Sequence, residues 1–377
     1  MADGPQTNSE PNISALLRGR IEAGDFPSAV YLVAEHGQPV YSDAIGDAVR
    51  EPETRPATLE TIYDLASLTK PLVTSLLCAR LVEAGTLTLD ASIAHYLPEF
   101  DRPDKNEITI RELLTHTSGL AAWRPLYILT GGEREASLSA IANEPLDYET
   151  GMRVVYSDLG FIVLGFLLQK LSGLSLDQLA RRDVFDPLGL RRTVFSPENA
   201  MQTGVAACES GNAYERDMCE HRGVGAAYDG WRTGVIWGQV HDGNAFFLGG
   251  AAGHAGLFST AGDTLQIANQ FVGRLSELLS EETCKLFQQN MTEGLNEARS
   301  FGWQLAATRD STAGTALPAN SFGHTGFTGT TCWIDADNGR VFILLTNRTH
   351  AHSLPFANIN ATRREFHTLA AAALASR

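Results

Sequence analysis

The segment Ser67-Leu68-Thr69-Lys70 places a hydroxyl and an amine three positions apart. On a helix such positions share one face, so Ser67 and Lys70 would be neighbours, a nucleophile beside a possible base. Pro71 indicates that a helix begins close to Ser67, because a proline in the first turn lacks an N–H group that would have no intrahelical partner. Ser67 would then lie at the positive end of the helix dipole, where a developing oxyanion is stabilised.

The lysine is informative because the chain uses arginine for nearly all its positive charge. The only lysines are Lys70, Lys105, Lys170 and Lys285. Lysine can act as a base when it is desolvated, whereas arginine stays protonated. The apolar neighbours of Lys70 predict that burial lowers its pKa. Read by itself, the pattern also fits Ser67 as a simple helix cap and Lys70 as a surface residue.

Both ends of the chain carry the pattern of a β-hairpin. Residues 29–35 and 40–44 are extended segments around the turn-like His36-Gly37-Gln38-Pro39. Residues 330–335 and 341–346 repeat that arrangement around Ala336-Asp337-Asn338-Gly339. We therefore expect one antiparallel sheet that both ends of the chain complete.

The middle of the chain is mostly helical in pattern. Helices are predicted over residues 13–23, 70–84, 110–114, 157–171, 175–184 and 264–279, with a last one over 358–373 that packs on the sheet. Residues 209–243 have few aliphatic side chains and are predicted to be irregular, as segments around binding sites often are. The pattern is that of an α/β (α+β) protein, an antiparallel sheet flanked by helices plus an inserted helical domain. Expected boundaries are a flexible tail at 1–12, an α/β domain from 13–70 and 285–377, and a mainly helical domain with active-site loops at 71–284.

Composition narrows the classes of partner. The formal net charge of -15 disfavours nucleic acid and anionic membranes. The apolar run 159–168 is about half the ~20 residues of a membrane-spanning helix and is expected to be a buried helix. No leader pattern is seen at the start, and the five cysteines are scattered, so we expect a cytoplasmic protein with reduced thiols.

Two further segments complete a known set of motifs. Tyr156-Ser157-Asp158 precedes the apolar run, and His324-Thr325-Gly326 precedes the C-terminal hairpin. With Ser67-x-x-Lys70 they resemble the three motifs of the serine β-lactamase and penicillin-binding-protein superfamily. The nearest members are class C β-lactamases, DD-peptidases, D-aminopeptidases and related esterases. Residues 113–120 and 253–260 also look like this family, and the resemblance covers roughly residues 13–370.

The resemblance implies a β-lactamase/transpeptidase-like fold and an acyl-enzyme mechanism without metal or organic cofactor. Ser67 would attack a carbonyl carbon, and Lys70 and Tyr156 would share the proton transfers, with the phenol made a better base by the nearby cation. Which of the two takes the first proton stays open at this point. The backbone N–H groups of Ser67 and Phe327 would hold the oxyanion.

Two residues depart from the commonest family pattern. His324 stands where β-lactamases usually carry lysine, and as a partly charged group at neutral pH it would anchor a substrate carboxylate more weakly. Asp158 stands where asparagine is usual, and an ionised aspartate cannot donate a hydrogen bond to a substrate carbonyl. Asp158 would instead accept from a substrate amine or hold Lys70 charged. Thr325 would donate to substrate, and Gly326 would let the substrate backbone approach the strand.

The remaining histidines are expected to be structural. His241 and His254 are predicted to position loops rather than bind metal, and His116 to brace its loop through a backbone bond. His350 and His352 are predicted to lie at the surface. No phosphate-binding glycine motif follows a strand, so no nucleotide cofactor is implied.

The sequence thus predicts a serine hydrolase that cleaves an ester or amide of a small molecule, either a small ester or a D-amino-acid-type peptide, through acyl-Ser67. A class C-type β-lactamase is the first alternative, disfavoured by His324 and Asp158. A penicillin-binding sensor that acylates once, or an inactive scaffold, is the second.

Overall fold

A computed structural model describes residues 8–197 and 199–377 of the chain, without the side chains of residues 199 and 200. Over these ranges the strands are β1 (Ser28–Glu35), β2 (Gln38–Val49), β3 (Arg55–Pro56), β4 (Tyr63–Asp64), β5 (Val194–Phe195), β6 (Leu257–Ser259), β7 (Gln304–Leu305), β8 (Phe322–Thr325), β9 (Thr331–Asp335) and β10 (Arg340–Thr346). The α-helices are α1 (Pro11–Glu22), α2 (Leu76–Glu83), α3 (Ile110–Leu114), α4 (Leu126–Leu129), α5 (Ser137–Asn143), α6 (Asp158–Ser172), α7 (Leu176–Ala180), α8 (Ala213–His221), α9 (Gly243–Phe247), α10 (Ala261–Ala268), α11 (Glu281–Leu286) and α12 (Asn360–Ala375).

Both predicted hairpins form and meet in the middle of one antiparallel sheet of seven strands. Its order is β3-β2-β1-β10-β9-β8-β7, and β1 pairs with β10 from Ala29 opposite Thr346 to Glu35 opposite Arg340. Strands from the two ends of the chain are thus neighbours, as the sequence predicts. A smaller sheet, β4-β6-β5, leads into the segment that carries Ser67.

Strand β1 is buried along almost its whole length because the sheet is covered on both faces. Tyr31 and Val33 pack with α1 and α12 in one apolar cluster, whereas Val30 and Leu32 belong to the main core with the helices of the other face. Alternate side chains of a strand point to opposite faces, so one continuous apolar segment serves two cores. The expected packing of the last helix on the sheet is confirmed.

Helix α6 is the buried helix expected from the apolar run. The Ser157 hydroxyl accepts from the Gly160 amide at its start, and Gly173 ends it in a left-handed conformation with φ 70°. Among the described residues no single helix has both the length and the apolar composition to cross a membrane. Helices α6 and the Leu176–Phe185 segment pass that test only when taken together, and they are bent by 73°.

Three expectations are modified by the structure. Residues 264–279 form a helix only as far as Ala268, followed by a short 3₁₀ turn. The segment 209–243, predicted to be irregular, contains α8. The first seven residues of the predicted tail lie outside the described residues, and α1 already begins at Pro11.

Candidate active site

Ser67 lies in a short 3₁₀ turn, Ala66–Leu68, directly after β4. The turn begins with Ala66 at φ 48°, a left-handed conformation that is unfavourable for alanine. The buried carboxylate of Asp64 accepts hydrogen bonds from the Ala66 amide at 2.8 Å and from the His241 amide at 2.7 Å, so it holds this conformation in place. The outcome is a half-buried Ser67 whose side chain faces a cleft.

Lys70 lies behind Ser67 and is fully buried at the start of a π-helical turn, Lys70–Ser75, that continues into α2. Its ammonium Nζ donates to three acceptors: Ser67 Oγ at 3.2 Å, Asp158 Oδ1 at 2.6 Å and the carbonyl oxygen of His254 at 3.0 Å. An ammonium has three N–H donors, so all of them are used.

The pKa of Lys70 is raised, contrary to the expectation from its apolar neighbours. Burial acts to lower the pKa of Lys70, but the carboxylate of Asp158 and the phenol of Tyr156 together outweigh it. The lysine is therefore protonated in the resting site. The expected lowering fails because Asp158, which supplies the opposing charge, is 88 positions away in the chain.

Tyr156 is stacked in the wall of the cleft with its ring 4.7 Å from Lys70 Nζ and 4.7 Å from the His116 ring. Within the described residues its buried hydroxyl makes no hydrogen bond. Burial raises the pKa of Tyr156, and the lowering effect of Lys70 does not offset it. Lys70 thus acts on the phenol in the expected direction, but burial outweighs it, and Tyr156 is a neutral hydroxyl at neutral pH.

His116 has the structural role that the sequence predicts. Its Nδ1 accepts from the Ser157 amide at 3.0 Å, which fixes the start of α6 and with it Asp158. Burial, with Arg299 next, lowers the pKa of His116 well below its usual value, so the ring is neutral. The ring packs between Tyr156 and Phe161 at centroid distances of 4.7 Å and 4.9 Å.

The third motif lies on β8 and in the turn that follows it. His324 and Thr325 end the strand, and a side chain at Gly326 would collide with the Leu65 carbonyl and the Thr330 hydroxyl. Glycine is therefore required by the close approach of the two protein segments that carry Ser67 and Phe327. This packing explains the glycine without any reference to substrate.

His324 is not the partly charged group that the sequence suggests. Burial lowers the pKa of His324 well below its usual value, and the positive charges of Arg299 and Lys70 lower it further. Its Nδ1 lies 2.8 Å from the Thr325 carbonyl, and its ring centroid 5.6 Å from that of Tyr156. A permanent positive charge near His324 and Tyr156 comes from Arg299. Its side chain belongs to a residue that is 5% exposed, and its guanidinium lies 5.6 Å from the Tyr156 ring.

A cleft of about 940 Å³ connects these groups. Seven of the eight predicted site residues line it, and Lys70 is the one that lies behind. They are Ser67, Tyr156, Asp158, His324, Thr325, Gly326 and Phe327. The structure therefore brings all three motifs together.

The cleft also contains residues that the sequence alone did not single out. Arg299 and Glu215 line it, and burial followed by the charge of Asp242 raises the pKa of Glu215 to about 7. His254 Nε2 lies 2.8 Å from Asp242 Oδ1, which orders the loop whose carbonyl receives Lys70. No local motif identifies Arg299 or Glu215, whereas the contact of His254 with Asp242 fits the loop-positioning role that the sequence predicts for His254.

His241 has the loop-positioning contacts that the sequence predicts, whereas His350 does not lie at the surface as predicted. His241, stacked on Phe327, pairs with buried Glu209 at 2.8 Å. His350 is buried rather than at the surface, with its Nε2 accepting from the Arg50 amide at 2.8 Å and its Nδ1 2.9 Å from the Cys208 carbonyl. Across residues 8–197 and 199–377 no group of three or more His, Cys, Asp or Glu side chains is arranged to hold a metal ion.

Comparison with known proteins agrees with this geometry. A sequence model described as Beta-lactamase matches residues 13–364. A putative D-alanyl-D-alanine carboxypeptidase of Escherichia coli (strain K12) is 34% identical over 354 residues, which are 86% of this chain and 79% of that protein. An N-acetylmuramyl-L-alanine amidase of Bacillus subtilis (strain 168) is 33% identical over 365 residues, 90% of this chain and 80% of that protein.

Two solved structures share the fold. EstCE1, described as a hydrolase with promiscuous acyltransferase activity, superimposes with a TM-score of 0.72 at 24% identity and covers 95% of this chain and 98% of its own. A penicillin-binding protein homologue from Caulobacter crescentus gives a TM-score of 0.72 at 20% identity, over 98% of this chain and 99% of its own. With the family match over most of its length, the chain belongs to the β-lactamase family and is a serine hydrolase.

Proposed function

We propose that the protein hydrolyses an ester or amide bond of a small substrate through an acyl-Ser67 intermediate. The observation that carries this proposal is the contact of 3.2 Å between Lys70 Nζ and Ser67 Oγ at the floor of the cleft. It pairs a nucleophile with a group that can relay its proton.

The proton of Ser67 leaves through Lys70. Since Lys70 is protonated and all its N–H groups are donated, it must first pass one proton to Asp158 Oδ1, 2.6 Å away. Rotation about the Cε–Nζ bond then turns the free lone pair of the amine to Ser67 Oγ, which gives up its proton to it. The Oγ–carbon bond forms in the same step. Tyr156 is less suited as the first base, because its raised pKa leaves it a neutral phenol.

The developing oxyanion would lie between two backbone amides. Within the described part of the chain, neither the Ser67 N–H nor the Phe327 N–H donates a hydrogen bond. Free amides beside the nucleophile are the donors that stabilise a tetrahedral intermediate. The close packing of Gly326 on the Leu65 carbonyl keeps their two segments together.

Tyr156 is placed to serve the leaving group. Its unpaired hydroxyl can give a proton to the departing oxygen or nitrogen as that bond to the acyl carbon breaks. The proton held by Asp158 then returns to the phenolate through Lys70. In the second half of the reaction the oxygen of a water molecule bonds to the acyl carbon, the bond from that carbon to Ser67 Oγ breaks, and one proton of the water ends on Oγ. Asp158, His324, Thr325 and Gly326 would contact the substrate, with Asp158 accepting from a substrate N–H or O–H and Thr325 donating.

Small esters and D-amino-acid-type peptides are the substrate classes we propose. A relative named as a carboxypeptidase supports the peptide, and the neighbour named as a hydrolase with acyltransferase activity supports acyl transfer from esters. Both substrates present the carbonyl that the two free amides would receive.

The test is intact-protein mass spectrometry with p-nitrophenyl acetate, p-nitrophenyl butyrate and a penicillin, while nitrophenol release is followed. We expect wild-type protein to form an acyl adduct and to turn over, and Ser67→Ala to do neither. Ser75→Ala is the matched control, because Ser75 is a buried serine of the same helical segment whose hydroxyl has no partner among the described residues. Activity that survives in Ser67→Ala would overturn the proposal. A single stoichiometric release of nitrophenol without turnover would indicate a sensor that acylates once.

A further inference from the structure

Two chemically different groups of side chains line the cleft. The polar wall comprises Tyr156, Arg299, Gln304, His324 and Thr325. The other group is mainly apolar and aromatic, with the charged Asp217 and Arg348 beside it, and comprises Tyr214, Met218, Phe327, Leu354 and Phe356. We call this second group the aromatic wall.

The aromatic wall is assembled from three separate parts of the chain. Helix α8 contributes Tyr214 and Met218, which are four positions apart and therefore share one face of the helix. The turn after β8 contributes Phe327, and the loop before α12 contributes Phe356. The rings form one cluster, with Tyr214 4.6 Å from Phe327 and 5.9 Å from Phe356 between centroids.

The wall is rigid. The Phe327 ring lies 4.8 Å from the Arg348 guanidinium and stacks on His241 with an interplanar angle of 24°. Arg348 donates to the Phe327 carbonyl at 2.7 Å and to the Ala357 carbonyl at 2.6 Å, which ties the turn to the loop that carries Phe356. Such a surface is shaped before any ligand binds.

Tyr214, Phe327 and Phe356 are half-buried and line the cleft, so part of their apolar surface is exposed to it. Exposed apolar area of this kind gains free energy when an apolar ligand covers it. A cleft of about 940 Å³ also has far more room than an acetyl group needs. The wall therefore fits an apolar group of the substrate.

The chemistry of the acylation step indicates which part of the substrate contacts the aromatic wall. The leaving group must lie near the hydroxyl that protonates it, and Tyr156 is on the polar wall. The carbonyl oxygen is directed to the amides of Ser67 and Phe327. The acyl substituent is then the part that extends over Phe327 toward Tyr214 and Phe356.

We propose that the aromatic wall is an acyl subsite. It selects esters and amides whose acyl group is apolar, such as a medium-length alkyl or a phenylacetyl group, with a polar leaving group at the polar wall. This inference rests on the proposed acyl-Ser67 function and adds the class of acyl group to it.

The experiment measures kcat/KM for p-nitrophenyl acetate, butyrate, hexanoate and phenylacetate, which share one leaving group. For wild-type protein we expect an increase of about fourfold per added methylene up to hexanoate. Phe356→Ala is expected to lower the hexanoate-to-acetate ratio roughly tenfold while acetate hydrolysis changes less than about threefold. Acetate hydrolysis thus reports that the variant is folded.

Phe246→Ala is the matched control, since Phe246 is an exposed phenylalanine that lines a second cavity and not this cleft. It should keep the wild-type ratio. A flat chain-length profile in wild type, or an unchanged ratio in Phe356→Ala, would overturn the acyl subsite while Ser67→Ala remained inactive. A chain-length effect seen only when the alcohol of an acetate ester is lengthened would overturn the orientation. Turnover by Ser67→Ala would instead remove the proposed function itself.

Discussion

At the scale of single residues, the charge state of Lys70 depends on one contact. Burial alone would lower the pKa of Lys70, and the carboxylate of Asp158 at 2.6 Å, together with Tyr156, reverses the direction. A lysine held protonated needs a second acceptor before it can take the proton of Ser67. In the proposed mechanism Asp158 is therefore part of the proton path, which an asparagine could not be.

Asp158→Asn tests this role. Without the carboxylate, burial becomes the dominant influence on Lys70, and its pKa falls. We expect kcat/KM for p-nitrophenyl acetate to rise with pH through the lowered pKa of the lysine, at pH values where Lys70 of the wild type stays protonated. The neutral lysine can then accept the Ser67 proton directly, and the amide can donate to a substrate carbonyl. Acylation by a penicillin is therefore expected to be faster in this variant.

Asp217→Asn provides the comparison, because Asp217 lines the same cleft but is exposed and does not contact Lys70. Its pH profile should match the wild type. If the Asp158→Asn profile also superimposes on the wild type and penicillin acylation is no faster, Asp158 does not control the protonation of Lys70.

At the scale of elements, the turn after β8 is tied to the segment after β4 by two threonines. The Thr328 hydroxyl donates to the Asp64 carbonyl at 2.7 Å, and the Thr330 hydroxyl donates to the Leu65 carbonyl at 3.0 Å. Both threonines are buried. These bonds join the segments that carry the Phe327 and Ser67 amides, so they are expected to set the spacing of the oxyanion donors.

Thr328→Val removes one of these bonds with little change in volume. We expect kcat for p-nitrophenyl butyrate to fall about tenfold or more with KM nearly unchanged, because the amides stabilise the oxyanion more than the bound ester. Thr328→Ser keeps the hydroxyl and should restore most of kcat. Thr346→Val is the control, since the buried Thr346 hydroxyl has no partner in the described residues. Equal losses in the two valine variants would contradict a positioning role.

The elements that the sequence predicts well are those determined by local pattern. The hairpins follow from turn residues between extended segments, and α6 follows from the serine cap, the apolar run and Gly173. The helix predicted over 264–279 stops early because the Gln270 side chain accepts from the Glu277 and Leu278 amides and folds the chain around itself.

The candidate site also has features that the sequence predicts and features that only the structure shows. Motif spacing identifies Ser67, Lys70, Tyr156 and the third motif, and the structure brings them to one cleft. The charged state of Lys70 follows one of the two roles that the sequence allows for Asp158, which is to hold Lys70 charged. The neutral state of His324 could not be predicted, because it depends on burial and on Arg299, which is distant in sequence. Helix α8 was not predicted, because its composition is mostly polar. Tyr214 and Met218 follow no sequence motif, and their role becomes visible only where they pack into the aromatic wall.

At the scale of the whole molecule, the two chain ends form one sheet that has an apolar cluster on each face. The division into an α/β domain at 13–70 and 285–377 and a helical domain at 71–284 stays a prediction. The main cluster contains residues from both ranges, including Leu32, Leu76, Phe161 and Ile343. We therefore expect them to unfold together rather than in two separate steps.

Acid should destabilise the whole fold, because several histidines are buried in neutral form. Burial lowers the pKa of His116, His324, His350 and His367, the last to about 3. In the unfolded chain each histidine titrates near its usual pKa of about 6.5. Below that pH the unfolded state binds more protons than the folded state, so the free energy of unfolding decreases as pH falls.

The expected loss between about pH 7 and pH 5 is up to about 2 kcal/mol for a histidine with a folded-state pKa near 3. Glu215 opposes it, because a folded pKa of about 7 means that the folded state gains a proton over the same range. Burial also raises the pKa of Asp64, but these two carboxyl groups stand against five histidines, since burial lowers the pKa of His352 as well. Thermal unfolding at the two pH values measures the difference as a lower Tm at pH 5.

His367→Gln removes one of the titrating groups while its amide can still donate toward the Thr312 carbonyl, which lies 2.7 Å from His367 Nδ1. The drop in Tm from pH 7 to pH 5 should be smaller in this variant than in the wild type. His221→Gln, at an exposed position on α8, should leave the drop unchanged. Equal drops in all three proteins would mean that His367 is protonated in the folded state at pH 5, and a Tm that rises on acidification would mean that buried carboxyl groups such as Glu215 outweigh the histidines.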